Sequence, residues 1–334
     1  MKKLFVLANL LVLASLVLTA CGGGATPTAT QAPAATEAPT MTEAPAATEA
    51  PTGTEAPATE AAADLLSTIK ERGYIVVSTD PNYEPQSFLN TTGSRPSDTK
   101  CASDTLTTAE MQGFDVDVAK AIGDALGVET CFATPDWDII TAGSWADKWD
   151  ISVGSMTITT ARQQVLDFSV PYYYTPAVVA VAKDSGITSL DQLDGKALCA
   201  GTSTTYEAWL NHDMEALGLP ESSVYKQAPD VTVVPLTTDQ DCPQAIAAGR
   251  KDFVGYVTSG TVVDSNIAAG MPVVKLEGVV FAEDLAAAFD KTSSLPTDTL
   301  RAEVDKIITE MHDNGKLTEL SNKWFGADLT QAPG

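Results

Sequence analysis

Positive charge is scarce in this chain. Its 334 residues contain 20 Lys and Arg against 44 Asp and Glu, which gives a formal net charge of -24 at pH 7. Proteins that bind nucleic acid neutralise phosphates with Lys and Arg, so this balance argues against a nucleic-acid partner. It is typical of a soluble protein whose surface charges repel one another.

Histidine is also rare, and the cysteines include no C-x-x-C pair. The two histidines are His212 and His312. Zinc sites are usually built from closely spaced Cys and His ligands, so zinc is the weaker interpretation of the cysteines. No nucleophile motif is present, and neither histidine lies near a segment that we expect to line a pocket. We therefore predict no catalytic residue, no metal and no cofactor.

Aromatic residues are absent from residues 22 to 62, and the only large apolar residue there is Met41. This segment repeats TEAP and ATEAP. Such a composition cannot bury enough apolar surface to offset the entropy of the chain, and its prolines favour extended conformations. We expect a disordered tether over residues 22 to 62.

The apolar run near the N-terminus is short for a membrane span. It extends from Leu4 to Leu18 after two lysines, whereas a spanning helix usually needs about 20 apolar residues. It ends in the sequence LTAC, which fits a lipoprotein cleavage box with Cys21 as the lipidation site. Residues 1 to 21 are therefore predicted to be a signal peptide. The mature protein would be extracytoplasmic, lipid-anchored to the outer face of the cell membrane or periplasmic.

The remaining chain alternates strands and helices. Tyr74 to Ser78 is a β-branched strand, Phe114 to Leu126 has apolar residues at helical spacing, and Trp149 to Val153 is a buried strand. This alternation predicts βα units, a mostly parallel sheet and an α/β fold. The stretch after the tether is longer than most single-core domains, so two domains or lobes are expected.

A lone arginine follows the hydroxyl-rich strand that begins at Ser155. The segment reads SMTITTARQQVLDFSVPYYY and places Thr157 and Thr159 on the same side of an extended chain as Ser155. The guanidinium of Arg162 offers paired donors that match a carboxylate, so Arg162 is a candidate anion clamp. The alternative is a surface arginine beside a turn.

A second hydroxyl-rich turn follows the predicted strand from Ala197 to Gly201. Thr202, Ser203 and Thr204 come next, and a helix is predicted from about Thr204 to Ala216. Hydroxyl residues and free N–H groups at the start of a helix favour an anion site. Ordinary N-capping is the alternative.

The order of several motifs resembles family 3 extracellular solute-binding proteins, the amino-acid receptors of ABC importers. That family has GMTIT-x-x-R followed by DFS-x-PYY, and this chain carries both, with Ser155 in place of the glycine. The other matching segments are GFDVDVAKAIGDALG at 113 to 127, SLDQLDGK at 189 to 196 and GKLTELSNKWFG at 315 to 326.

The resemblance implies a two-lobed periplasmic-binding-protein-like fold of type II with two hinge crossings. Lobe 1 would comprise residues 63 to 175 and 279 to 328, and lobe 2 residues 176 to 278. The implied function is the substrate-binding component of an ABC importer, which captures a small polar solute, an amino acid or related carboxylate, by hinge closure. The implied partners are the solute and the membrane subunits of the importer, with the protein itself a monomer. The alternatives are a dehydratase-like enzyme on the same scaffold and a solute sensor.

The resemblance also implies a ligand site. Two aromatic residues would sandwich the apolar part of the solute, although position alone favours the core, where large aromatic residues are more often found. Arg162 and the backbone at Ser155 and Thr157 would hold a carboxylate, the turn at 202 to 204 would add donors from the other lobe, and Asp80 would face the ligand's side chain. The full set is Asp80, Tyr83, Trp137, Ser155, Thr157, Arg162, Thr202, Ser203 and Thr204.

One position departs from the family pattern. In the family, the strand after a G-R-x-D turn ends in an aspartate that pairs with the ligand's α-amino group, and here GRKDFVGYV places Val257 there. A buried cation without an acidic partner costs several kcal/mol. Either Asp80, Glu84 or Asp239 takes this role, or the ligand lacks an ordinary α-amine.

Four cysteines remain after Cys21. An even number in an exported chain predicts two disulfides. Of the three possible pairings, Cys101 with Cys131 and Cys199 with Cys242 keeps each bond within one predicted lobe. We expect that pairing.

Overall fold

The computed structural model describes residues 63 to 332. The predicted signal peptide, the lipidation site Cys21 and the tether therefore lie outside the described residues. Within residues 63 to 332, no helix is both long enough and apolar enough to cross a membrane.

The described chain contains both helices and strands in alternation, which confirms the predicted α/β class. The strands are β1 (Tyr74–Ser78), β2 (Asn82–Tyr83), β3 (Ser87–Leu89), β4 (Leu106–Thr107), β5 (Met111–Gln112), β6 (Glu129–Ala133), β7 (Ile151–Thr157), β8 (Leu166–Ala182), β9 (Ala197–Gly201), β10 (Thr232–Leu236), β11 (Gly255–Ser259), β12 (Val273–Lys275) and β13 (Phe281–Asp290). The α-helices are α1 (Leu65–Arg72), α2 (Phe114–Leu126), α3 (Trp137–Thr141), α4 (Thr205–Leu210), α5 (Met214–Leu217), α6 (Asp241–Ala247), α7 (Gly260–Ala268), α8 (Asp298–Asp313) and α9 (Lys316–Phe325).

Ten of the strands form one mixed sheet. Its order is β10-β9-β11-β8-β13-β7-β1-β6-β4, and β12 pairs with β8. The pairs β1 with β6 and β7, and β9 with β10 and β11, are parallel, whereas β8 and β13 are antiparallel to each other. The long antiparallel pair therefore joins two parallel regions.

Two main hydrophobic clusters lie on either side of this antiparallel pair. The first packs α2, α8 and α9 against β1 and β7, and the second packs α4 against β9 and β11. Strand β8 contributes Tyr172 and Tyr173 to the first cluster and Val179 and Val181 to the second. Both β8 and β13 thus pass from one packed region to the other, as two hinge crossings require. The residue ranges assigned to the lobes remain predictions.

Local sequence explains where the helices begin and end. Asp64 and Ser67 form a capping box at the start of α1, and Gly73 ends that helix in the left-handed conformation. Both devices satisfy backbone groups that a helix end leaves free. In α2 the apolar residues at helical spacing face the first cluster, so Phe114 to Leu126 belongs to the core as predicted.

Both disulfides are present with the expected pairing. Cys101 is bonded to Cys131, and Cys199 to Cys242. The first bond joins the polar segment at residues 90 to 112 to β6, and the side chain of Arg95 donates to the carbonyls of Cys101 and Ala102 within that segment. Strand β4 of this segment pairs with β6, so the segment covers an edge of the sheet.

Two predicted elements differ from the structure. The strand expected from Trp149 to Val153 begins instead at Ile151 and continues to Thr157 as β7. The helix expected from Thr204 to Ala216 is divided into α4 and α5. His212 interrupts the helix with a φ of 55, and the side chain of Asp213 caps α5. The turn between α4 and α5 therefore replaces the middle of the predicted helix.

Candidate functional site

A cavity lies where several strand ends from both packed regions meet. It contains about 430 Å³ of space free of protein atoms, part of it open to solvent. Its lining residues are Asp80, Tyr83, Trp137, Gly154, Ser155, Thr157, Arg162, Thr204, Thr205, Tyr206, Thr237, Thr238 and Asp239. Every predicted site residue except Thr202 and Ser203 lines this cavity.

Arg162 is the one Lys or Arg residue among the lining residues. It follows β7 in a short 3-10 helix and is only 8% exposed. Its Nη1 donates to the carbonyl of Thr157 at 3.0 Å, and its Nη2 donates to the carbonyl of Ser203 at 3.2 Å. Burial lowers the pKa of Arg162 to about 10, and Glu283 opposes this shift. The guanidinium is therefore charged at neutral pH and retains N–H groups for an anion.

Two predicted aromatic residues stand beside the arginine. The guanidinium carbon of Arg162 lies 5.4 Å from the ring centre of Trp137, a cation–π distance. The indole Nε1 of Trp137 is buried and has no hydrogen-bond acceptor among the described residues. The hydroxyl of Tyr83 lies 3.2 Å from that of Tyr206 on α4. These rings line the pocket and are not confined to the core.

Ser155 adopts a conformation that usually favours glycine. Its φ is 55, and its Oγ donates to Asp115 at 2.7 Å. Its backbone N–H donates to the hydroxyl of Tyr172 at 2.9 Å, and that hydroxyl donates to Asp115 at 2.8 Å. The bonds to Asp115 help to hold the serine where the family has glycine. Because its N–H is already used, Ser155 lines the cavity without offering the backbone donor that we expected.

The turn at 202 to 204 is mainly a helix cap. Thr204 Oγ1 accepts the N–H of Glu207 at 3.1 Å, and the N–H of Ser203 donates to the Glu207 carboxylate at 2.7 Å. The N–H of Thr202 donates to Leu236 at 2.9 Å. The geometry thus agrees with the N-capping alternative, and Thr205 and Tyr206 bring α4 to the cavity in place of Thr202 and Ser203.

Two acids line the cavity. Asp80 follows β1, and its Oδ1 accepts the N–H of Asn82 at 2.8 Å. Asp239 is 6% exposed and accepts hydrogen bonds from the N–H of Gly201 at 3.1 Å and the hydroxyl of Thr258 at 3.0 Å. Burial raises the pKa of both carboxyls, that of Asp239 to about 7, with Asp80 and Glu283 adding to the shift at Asp239.

The departure at Val257 has a structural counterpart. Val257 is 1% exposed, packs in the second cluster and does not line the cavity. Of the three acids considered for its role, Asp80 and Asp239 line the cavity, whereas Glu84 is exposed and does not.

Glu283 is a buried acid behind the cavity that sequence reasoning missed. It lies on β13, is 1% exposed, and accepts hydrogen bonds from Thr157 at 2.7 Å, Thr205 at 2.6 Å and Tyr206 at 2.8 Å. Burial raises its pKa. Its three donors line the cavity from both packed regions, so Glu283 connects the two sides behind the site. The sequence feature that could have indicated Glu283 is a pair of acidic residues inside the otherwise apolar run FAEDLAAAF.

The chain matches a family model over most of its length. Residues 75–327 match the model described as bacterial extracellular solute-binding proteins, family 3. The chain belongs to this family. The resemblance inferred from the motifs is thereby confirmed, and with it a solute-binding role.

Known amino-acid-binding proteins share part of the sequence. The L-cystine-binding protein TcyJ of Escherichia coli (strain K12) is 29% identical over 277 residues, which cover 80% of this chain and 88% of that protein. The arginine-binding extracellular protein ArtP of Bacillus subtilis (strain 168) is 31% identical over 217 residues, covering 64% and 77%.

A solved structure extends the comparison. The ancestral amino acid-binding protein AncCDT-1, described as a precursor of cyclohexadienyl dehydratase, superposes with a TM-score of 0.61 at 27% identity, covering 79% of this chain and 100% of that one. The family's two-lobed fold is therefore that of this protein, and the cavity lies between its lobes.

Thr237 and Thr238 are further lining residues that the motif comparison did not find. They directly follow β10, which ends at Leu236. The rule that ligands bind at the carboxyl ends of strands in α/β sheets would have included them.

Proposed function

We propose that the protein is the substrate-binding component of an ABC importer and that it captures an amino acid between its lobes. The observation that carries this proposal is Arg162, a buried guanidinium that lines the cavity and forms no ion pair among residues 63 to 332. A buried charge is stabilised by an opposite charge with good hydrogen-bond geometry. A ligand carboxylate supplies that charge.

The contacts between the lobes support capture by closure. Arg162 reaches the carbonyl of Ser203, and the Tyr83 and Tyr206 hydroxyls meet across the cavity. Glu283 links Thr157 on one side to α4 on the other. Rotation of the lobes about β8 and β13 would break all of these contacts at the same time. Hinged domains admit and enclose a ligand by such a rotation.

Enzymatic turnover is the second candidate, because one structural neighbour is described as a dehydratase precursor. Asp239, with its pKa raised to about 7, is the cavity group best suited to act as a general acid. We favour binding, since both Asp239 and Arg162 complement the charges of an intact amino acid. Incubation of the protein with its ligand, followed by proton NMR, separates the two: unchanged ligand supports binding, and a new product supports catalysis.

A thermal-shift screen tests the proposed function. Amino acids, keto acids and small amines would each be added to the purified protein after removal of co-purified ligand. A ligand at about 100 times its dissociation constant adds about 2.7 kcal/mol to the free energy of unfolding. We expect at least one amino acid to raise the melting temperature. Stabilisation by amines alone, or by none of the three classes, would contradict the proposal.

We further propose that the protein is exported and anchored by a lipid at Cys21, with residues 22 to 62 as a tether to the membrane face where importer subunits are reached. The LTAC sequence after a short apolar run supports this. Cys21→Ala should abolish detergent-phase partitioning and release the protein or leave it unprocessed. A processed variant that still partitions into detergent would contradict lipidation.

A further inference from the structure

More acidic than basic side chains lie around the cavity. Arg162 lines the cavity together with the two acids Asp80 and Asp239, and Glu283 lies directly behind three lining hydroxyl groups. None of these three acids forms an ion pair with a Lys or Arg among residues 63 to 332. The described part of the cavity therefore presents more negative than positive groups to a ligand.

The position of Asp239 depends on a glycine. Strands β9 and β11 are neighbours in the sheet, and Asp239 accepts from Gly201 at the end of β9 and from Thr258 on β11. A Cβ atom on Gly201 would lie 2.6 Å from Oδ1 of Asp239. The missing side chain thus lets the carboxyl group cross the end of β9 and face the cavity. Its only donors among the described residues are neutral, so the carboxylate has capacity for a cation.

Asp80 approaches from the other lobe. One of its oxygens accepts the backbone N–H of Asn82, and no described protein group donates to the other. A carboxylate that a bound ligand shields from water is unfavourable without a partner, whereas a carboxylate hydrogen-bonded to a cation forms a strong contact. A second cationic group in the ligand would satisfy this oxygen.

We propose that this pocket selects an amino acid with net positive charge, whose carboxylate binds Arg162 and whose two cationic groups bind Asp239 and Asp80. The inference rests on the proposed function and adds the substrate class. It distinguishes a cationic amino acid from a neutral or acidic one, and also from cystine, which carries equal numbers of carboxylates and ammonium groups.

Matched ligands provide the first test. Titration calorimetry on the wild-type protein would compare L-arginine with L-citrulline, which is nearly the same shape but uncharged at the side chain, and L-lysine with L-norleucine. Replacing a charge-assisted hydrogen bond with a neutral one in this setting should weaken binding at least about tenfold. Equal or tighter binding of citrulline, norleucine or cystine would overturn the inference while leaving the proposed function intact. Failure of every amino acid to bind would overturn both.

Variants of the acids provide the second test. The Asp80→Asn, Asp239→Asn double variant preserves side-chain volume and should reduce the preference for arginine over citrulline to less than about threefold. Glu84→Gln removes an exposed acid next to Tyr83 that does not line the cavity, so it should retain the wild-type preference. Circular dichroism checks folding, and the wild-type ligand comparison does not depend on either variant. A folded double variant with the wild-type preference would contradict the assignment.

Discussion

Substitution of Glu283 tests whether the acid behind the cavity holds the lobes together. In Glu283→Ala, the hydroxyls of Thr157 and Thr205 lose their acceptor, whereas Tyr206 can still pair with Tyr83. Each buried polar group left without a partner costs about 1 to 3 kcal/mol. The two threonines together predict a loss of about 2 to 6 kcal/mol in the free energy of unfolding. Glu283→Gln keeps one acceptor oxygen and should lose less.

Stability alone cannot separate a latch between lobes from an ordinary core contact, so the assay needs a second measurement. Glu283 receives hydrogen bonds from β7 on one side and α4 on the other. Its removal should therefore shift the ligand-free protein toward an open form, seen as a larger radius of gyration by small-angle X-ray scattering. Chemical denaturation would give the change in stability. A destabilised Glu283→Ala protein with an unchanged radius of gyration would refute the latch.

Three further changes test separate parts of the structure. Burial raises the pKa of Asp115 to about 7, so the folded protein holds this proton more tightly than the unfolded chain does. The resulting contribution to stability is complete below the ordinary pKa of about 3.9 and is lost as pH rises toward 7. Asp115→Asn should flatten that fall in urea titrations at several pH values, and an unchanged slope would contradict it. Replacing Cys199 and Cys242 with serine removes a crosslink between residues 43 positions apart and should lower the free energy of unfolding by about 3 to 4 kcal/mol. Chemical denaturation without a reductant measures this change, and equal stability of the variant and the wild type would contradict it. Gly201→Ala should displace Asp239, given the 2.6 Å approach, and weaken ligand binding in calorimetry by about tenfold or more; unchanged affinity would show that Asp239 is not a ligand contact.

The parts of the site that sequence could predict lie within single motifs. Arg162 lies in the short 3-10 helix after β7, Asp80 lies between β1 and β2, and Tyr83 ends β2. Their positions at the carboxyl ends of strands follow from βα connectivity. The expected disulfides, Cys101 with Cys131 and Cys199 with Cys242, are also present.

The contacts that sequence did not predict join distant segments. Glu283 pairs with residues 126 and 78 positions away, and Asp239 with Gly201 38 positions away. Neither pairing has a local pattern. Pro171 and Pro176 indicate breaks because proline cannot donate to a strand ladder, yet β8 continues through both, with register shifts in its pairing with β13 around the partner of Pro171.

A double-mutant cycle between Arg162 and the ligand's carboxylate tests the central claim most directly. Calorimetry would measure wild-type and Arg162→Ala protein with the preferred amino acid and with the amine that lacks its carboxylate. Loss of a paired charge-assisted contact in a buried site should cost about 2 to 5 kcal/mol, or about 30-fold or more in affinity. We predict that the wild type discriminates between the two ligands by this factor and that Arg162→Ala binds both equally weakly. Equal discrimination by both proteins would show that the carboxylate is held elsewhere and would contradict the account.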